Sequence, residues 1–389
     1  MHTIPCAGER FTVGNGGRFV LAQAQEAAPL LLKDYAKKAQ TIYLDPPFGT
    51  GDTFCAQVGA AKLRVPAYED ALSQADYLAM MEGVLRLCHA LLTPTGSLFL
   101  HIDQRMGARL RLLLDGIFGP ENFVNEIIWS YRSGGRATHC FSRKHDNILL
   151  YRKSRRMYFN LRAVGTPRGP GRRNHMKRSV GPDGRVSYSI RAGGREYVYH
   201  EDSLVYPGDV WDDIEHLHQR DPERTGYSTQ KPLALLERIL KTASQPGDLV
   251  MDLFSGSGTT AAAAARLGRR WVAVDASPVA LLALRKRLLA GQKEPDLFTR
   301  QEELRLEYHQ PPPACPPPAL SLERRGRELW ATPQEESLAY LALGRMEGGL
   351  FHPLAYDLGP APGRALRGPG QATALHAADI YGRNGVWKL

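Results

Sequence analysis

Two stretches of this chain carry residue types that could do chemistry. Asp45-Pro46-Pro47-Phe48 follows the apolar run Thr41-Ile42-Tyr43-Leu44, and Asp252-Leu253-Phe254-Ser255-Gly256-Ser257-Gly258-Thr259-Thr260 stands much later. The first offers two acceptors, the Asp45 carboxylate and the Pro46 carbonyl, on a backbone stiffened by Pro46 and Pro47. An amino group on a heteroaromatic ring is a poor nucleophile, because its lone pair is delocalised into the ring. Two fixed acceptors that each take one N–H pull the nitrogen toward a pyramid, and the Asp45 anion stabilises positive charge that develops there. The same carboxylate can take the proton, directly or through water. Phe48 adds a flat face for a base to stack on. No metal is required, and no His/Cys/carboxylate cluster has ligand spacing; His216-Leu217-His218 reads as surface or core.

The second stretch is a glycine turn that opens a helix. Gly256 and Gly258 let backbone approach a ligand closely, and the helix start offers free N–H groups. Asp275, at the end of the next apolar run, can accept from ribose hydroxyls. Gly256 to Ala261 also fits G-x-G-x-x-A, so the turn alone serves a methyl donor or NAD, or is only a tight turn.

Hydrophobic periodicity supplies the elements that must hold these residues. Strands are predicted at 10–13, 41–44, 97–102, 124–131 and 147–151, with helices at 19–38, 68–92 and 105–118. Residues 49–66 read as a polar loop. From 152 to 224 glycine, proline and arginine dominate, and periodicity is lost. The rhythm then resumes, with helices at 232–243, 259–267 and 278–289 and strands at 249–253 and 271–274. The alternation predicts an α/β, doubly wound, mostly parallel sheet. Both chemical stretches end predicted strands, so both face the carboxyl edge, where such sheets bind ligands.

The division expected is a first catalytic part at 1–151, an inserted basic region at 152–224 and a second catalytic part at 225–295. A Pro-rich linker at 296–318 and a small β-rich C-terminal domain at 319–389 follow. The formal charge of +10 favours a nucleic acid or another acidic partner. The 5 cysteines are scattered without a Cys-x-x-Cys pair, which fits a reduced cytosol and neither a disulfide framework nor a zinc site. No signal peptide, membrane span or phosphate loop of the G-x-x-x-x-G-K-[ST] type is legible.

With these residues the chain resembles the β-class amino-methyltransferases of DNA, in which the amine motif precedes the cofactor motif. Thr229-Gln230-Lys231-Pro232, Phe99-Leu100-His101-Ile102-Asp103 and Lys144-His145-Asp146-Asn147-Ile148 also look like family blocks. The run 117–151 is similar to modification subunits of type III restriction systems and to their solitary relatives. The resemblance implies a seven-stranded methyltransferase-type sheet in permuted order, with the 10–13 strand beside the Trp271 strand. It implies S-adenosylmethionine as cofactor. Asn15, Asp252, Phe254, Gly256, Gly258, Thr259, Asp275, Gln230, Lys231 and Pro232 would hold it, and Asp45, Pro46, Pro47 and Phe48 would be catalytic. Relatives mostly carry Gly-Asp where this chain has Gly14-Asn15, and Tyr where it has Phe48. An Asp at the start of the amine motif is usual for adenine N6 and a Ser for cytosine N4, so Asp45 points to adenine. Cytosine N4 and RNA amino groups stay open as targets, and an NAD-linked oxidoreductase stays open as a different class.

Double-stranded DNA is the partner implied, with the target base flipped out of the helix. Arg132, Arg136, Arg143, Lys144, Arg155, Arg156, Arg172, Arg173, Lys177 and Arg178 are the expected DNA contacts, chiefly to phosphates. A separate restriction subunit and a second copy of the chain are left open as further partners. No membrane role is expected.

Overall fold

The computed structural model describes residues 2–13, 16–58, 62–132, 137–169, 176–290, 302–309 and 312–389. Among them, strands from distant parts of the chain join one α/β sheet. From one edge the order is Val210–Trp211, Phe123–Ser130, His145–Arg152, Leu92–Ile102, Ala39–Leu44, Leu249–Asp252, Arg270–Asp275, Gly17–Leu21, Glu302–Tyr308 and Gly8–Val13. Leu350–Asp357, Leu338–Glu347, Ala374–Asp379 and Asn384–Lys388 complete it. The run from Leu92–Ile102 to Glu302–Tyr308 is parallel throughout.

The sheet is covered on both faces, and the strand sequences show why. Ile42 and Leu44 point to one side, where Leu31, Tyr77, Met81, Leu110 and Leu114 pack from the helices Ala28–Tyr35, Gln74–Leu91 and Gly107–Phe118. Tyr43 and Phe99 point to the other, against Leu236, Ile239, Ala263 and Leu281 of Leu233–Ala243, Thr259–Arg266 and Pro278–Leu289. The helix after Ala39–Leu44 thus lies on one face and the helix after Leu249–Asp252 on the other. The adjacent carboxyl ends of these two strands form the switch point where a doubly wound sheet opens a crevice.

Several elements differ from the sequence reading. The expected helix at 19–38 is a strand, Gly17–Leu21, followed by the short helix Ala28–Tyr35. Phe19, Val20 and Leu21 are buried on both faces, which leaves an apolar run without alternation. It is this strand, and not the one at 10–13, that pairs with Arg270–Asp275. Gly8–Val13 lies one strand farther out, beyond Glu302–Tyr308. The polar loop at 49–66 contains the hairpin Thr53–Val58 and Leu63–Glu69. Glu302–Tyr308, inside the stretch read as linker, is a strand paired on both sides. The C-terminal strands continue the sheet from Gly8–Val13 through the pair Glu9 and Phe351.

Within the inserted region Lys177–Val180, Val186–Ala192 and Arg195–His200 form an antiparallel sheet of their own. The region then returns to the main sheet at Val210–Trp211, which pairs with Phe123–Ser130. Among the described residues no helix is long and apolar enough to cross a membrane.

Candidate active site

The carboxyl ends of the central parallel strands open into one cavity of about 1060 Å³. Asp45, Pro46, Pro47 and Phe48 line it from the end of Ala39–Leu44, and Asp252, Phe254, Ser255, Gly256, Ser257 and Thr259 line it from the end of Leu249–Asp252. Asp275, Ala276 and Ser277 close the Arg270–Asp275 strand on the same cavity. The two stretches singled out by their chemistry therefore share one crevice.

The loop after Phe48 is held from behind. The buried Asp70 accepts from Gly49 N at 3.1 Å, Thr50 N at 2.8 Å and Thr50 Oγ1 at 3.1 Å. Phe48 stacks on His101 with centroids 6.1 Å apart. His101 is fully buried, 2.8 Å from the Tyr43 hydroxyl and 3.1 Å from Asp146, which also accepts from Tyr131 Oη at 3.2 Å. Burial pushes the Asp146 carboxyl up, but its His101 contacts and the Lys231 charge outweigh burial and hold it at about 2. His216 stacks on Trp129 at 4.7 Å and lines the cavity. Burial first, then the Lys231 charge, lowers its imidazole to about 4.

The glycine turn is built around two carboxylates. Gly256 N donates to Asp275 Oδ2 at 2.7 Å and Ser277 N donates to Oδ1 at 2.8 Å. Burial raises the Asp275 carboxyl despite these bonds. Asp252 accepts from Phe254 N at 3.0 Å and Thr260 Oγ1 at 2.5 Å, so it braces the turn. Burial in this dry corner lifts it to about 7. Gly258 has φ 74°, the left-handed region that favours glycine, and begins the helix Thr259–Arg266.

Asp45 is paired. The Lys231 ammonium donates to both carboxylate oxygens, at 2.7 and 2.6 Å, and sits 5.2 Å from the Phe48 ring centroid. The Lys231 carbonyl in turn accepts from Thr259 Oγ1 at 3.2 Å, so this residue touches both chemical stretches. Lys231 is thereby placed at the amine motif and not only beside the glycine turn.

A DNA methylase family model matches residues 39–285, which include both stretches and the inserted region. The chain belongs to the N6/N4 DNA methylase family. This chain is 30% identical over 303 residues to the type II methyltransferase M.EcaI of Enterobacter cloacae, covering 66% of each chain. It is 28% identical to the DNA adenine methyltransferase YhdJ of Escherichia coli K12, covering 69% of this chain and 81% of that one. It is 25% identical to the Mod subunit of the StyLTI type III system of Salmonella typhimurium, covering 59% of this chain and 47% of the relative. The chain thus spans about two thirds of the Enterobacter protein and just under half of the Salmonella one.

The other residues expected at the site are more scattered. Gln230 does not line the cavity: its side-chain oxygen accepts from Thr225 N at 2.8 Å and its amide donates to Glu223 O at 2.9 Å, which braces the preceding loop. Pro232 caps the helix Leu233–Ala243 outside the cavity wall. Arg143 lines the cavity, Arg132 is exposed at its flank beside Glu215, and Lys144 is half-buried. Lys177 and Arg178 are exposed on the first strand of the small inserted sheet. Arg155 and Arg156 follow Arg152, which pairs with Ser97 near the amino end of Leu92–Ile102. They lie at the edge of the sheet opposite the crevice, which removes them from the pocket. Asn15, Arg136, Arg172 and Arg173 lie outside the described residues.

Sequence reasoning missed an aromatic wall. Tyr68 and Tyr227 stack at 6.5 Å, Phe54 stacks on Tyr68 at 4.9 Å, and a Cβ added to Gly256 would meet the Tyr227 ring at 3.5 Å. All three rings line the cavity, near Asp275. Phe54 and Tyr68 stand on the two strands of the 53–69 hairpin, and Tyr227 joins them from a distant loop.

Proposed function

We propose that this chain transfers a methyl group from S-adenosylmethionine to the N6 amino group of an adenine flipped out of double-stranded DNA. The observation that carries the reading is that Asp45-Pro46-Pro47-Phe48 and, from the glycine turn, Gly256, Ser257 and Thr259 line one cavity at the switch point of the sheet. S-Adenosylmethionine supplies an electrophilic methyl group on a cationic sulfur. The residues present fit it. Asp275 stands ready for ribose hydroxyls, aromatic rings beside it suit a purine, and acidic side chains on the wall suit a cation. The buried Ser255 hydroxyl, on the same wall, has no partner among the described residues.

In this reading Asp45 and the Pro46 carbonyl each take one N–H of the target, and Phe48 stacks on its ring. The His101–Asp146–Tyr131 network behind Phe48 fixes that ring in place. Asp45 then stabilises charge on the nitrogen and takes its proton. Because these groups are preorganised, alignment contributes much of the rate. Adenine is favoured over cytosine by Asp45, and by the likeness to the DNA adenine methyltransferase of Escherichia coli.

The test is transfer of labelled methyl groups to DNA, followed by digestion and mass analysis of the nucleosides. N6-methyladenine that vanishes with Asp45→Ala supports the reading. N4-methylcytosine would move the target to cytosine, and binding of NAD in place of S-adenosylmethionine would sink the assignment.

A further inference from the structure

The Lys231 ammonium occupies both oxygens of the carboxylate on which the target amine is proposed to sit. The pair is largely enclosed, with side-chain exposures of 9% for Lys231 and 18% for Asp45. An enclosed ion pair of this geometry is not a loose surface contact, and its charges act over several ångströms with weak screening. We propose that Lys231 is a latch on Asp45: it stands in for the target amine in the free protein, and its charge opposes the cationic donor until a base displaces it. This rests on the proposed methyl transfer, and deepens it by assigning a positioning residue.

The chemistry of in-line transfer leads to this conclusion. The acceptors that hold the amine must face the donor's methyl carbon, so a cation standing on those acceptors faces the sulfonium. Lys231 cannot simply drift off, because its carbonyl is tied to Thr259 at the start of the cofactor-side helix. It has a second carboxylate to turn toward, since Asp146 lines the same cavity and feels the Lys231 charge. An exocyclic amino group can take over one of the two Asp45 contacts that the ammonium makes and give its other N–H to the Pro46 carbonyl. A base without an amino group cannot, so the latch adds selectivity for an amine.

The donor and its product differ in charge at sulfur. S-Adenosylmethionine is a sulfonium, whereas S-adenosylhomocysteine is a neutral thioether. Lys231 in its observed place therefore penalises the donor and spares the product. Titration calorimetry of the full chain without DNA, with each compound in turn, reads this directly. In Lys231→Met the ratio of donor Kd to product Kd is expected to fall on the order of tenfold, the scale of one partly screened charge pair. Lys231→Arg keeps the charge and the wild-type ratio. A fall in both affinities by the same factor would mean that Lys231 holds the donor's carboxylate or merely supports the fold, and would overturn the latch. An unchanged ratio would overturn it as well. Should Lys231→Met bind neither compound, Lys231→Gln keeps an N–H donor for Asp45 without charge and carries the same expectation; failure there also ends the proposal. If the wild-type chain binds neither compound, the methyl-transfer reading fails and not the latch alone.

Discussion

Replacing Glu9 by Gln tests whether the C-terminal strands are bolted to the catalytic sheet. Glu9 is fully buried on the Gly8–Val13 strand. It accepts from Arg285 Nε at 2.7 Å, Tyr308 Oη at 3.0 Å and Tyr340 Oη at 2.8 Å, and His376 Nδ1 lies 3.0 Å away. These partners come from the helix Pro278–Leu289, from Glu302–Tyr308 and from two C-terminal strands. Burial pushes the Glu9 carboxyl up, but Arg285 and His376 outweigh it and hold the group at about 2, down from 4.5. That difference corresponds to about 3 kcal/mol at about 1.4 kcal/mol per pH unit. Removing one partner of a buried pair costs about 3–5 kcal/mol, because the other charge stays buried alone. Glu9→Gln is therefore expected to lose that much at pH 7, read from the midpoint of urea unfolding. The sign follows from the depressed carboxyl: its stabilisation is complete above 4.5 and is lost as pH falls toward about 2. The gap between wild type and variant should close over that window. Replacing both partners, Glu9→Leu with Arg285→Met, should cost less than the two single changes added together. A loss under about 1 kcal/mol for Glu9→Gln, or simple additivity, would refute the reasoning.

Asp45→Ala should lower methyl transfer to DNA at least about a hundredfold while binding of S-adenosylhomocysteine by calorimetry persists. Gly258→Ala should lower the thermal midpoint by the equivalent of about 1–2 kcal/mol, since φ is 74° and the new Cβ would stand 3.2 Å from Leu284 Cδ1. Asp252 lies the other way from Glu9. Burial lifts it from 3.8 to about 7, so ionising it costs stability as pH rises across that window. Asp252→Asn is expected to raise stability by about 2–4 kcal/mol at pH 8 and to change little at pH 4, measured by urea unfolding at both values.

Much of the fold was legible because period and punctuation agreed. The apolar run Thr41-Ile42-Tyr43-Leu44 read as a strand, which the structure buries on both faces, and 278–289 read as a helix that the structure matches to the residue. Phe19-Val20-Leu21-Ala22 misled because burial on both faces removes alternation, leaving a run that serves strand or helix. Glu302–Tyr308 was hidden by the proline run that follows it, and its partners lie hundreds of residues away, where no local signal reaches. At the site, Asp45 and the glycine turn declared themselves by residue type. The role of Lys231 did not, because a lysine's ion-pair partner is set by tertiary placement and not by neighbours in sequence. Tyr68 and Tyr227 were missed for the same reason, since their stack is made between a hairpin and a distant loop.

The position of Glu302–Tyr308 between the two N-terminal strands orders events at the ribosome. Gly17–Leu21 emerges early, yet one of its two neighbours is translated only after residue 301. At typical elongation rates that is a wait on the order of tens of seconds. Throughout it, strand edges meant for burial stand open to other nascent chains and to chaperones. A message truncated ahead of residue 302 would release a product that has both motifs and lacks the strand that pairs with Gly17–Leu21. Quality control should therefore clear such fragments before they ever meet a chromosome.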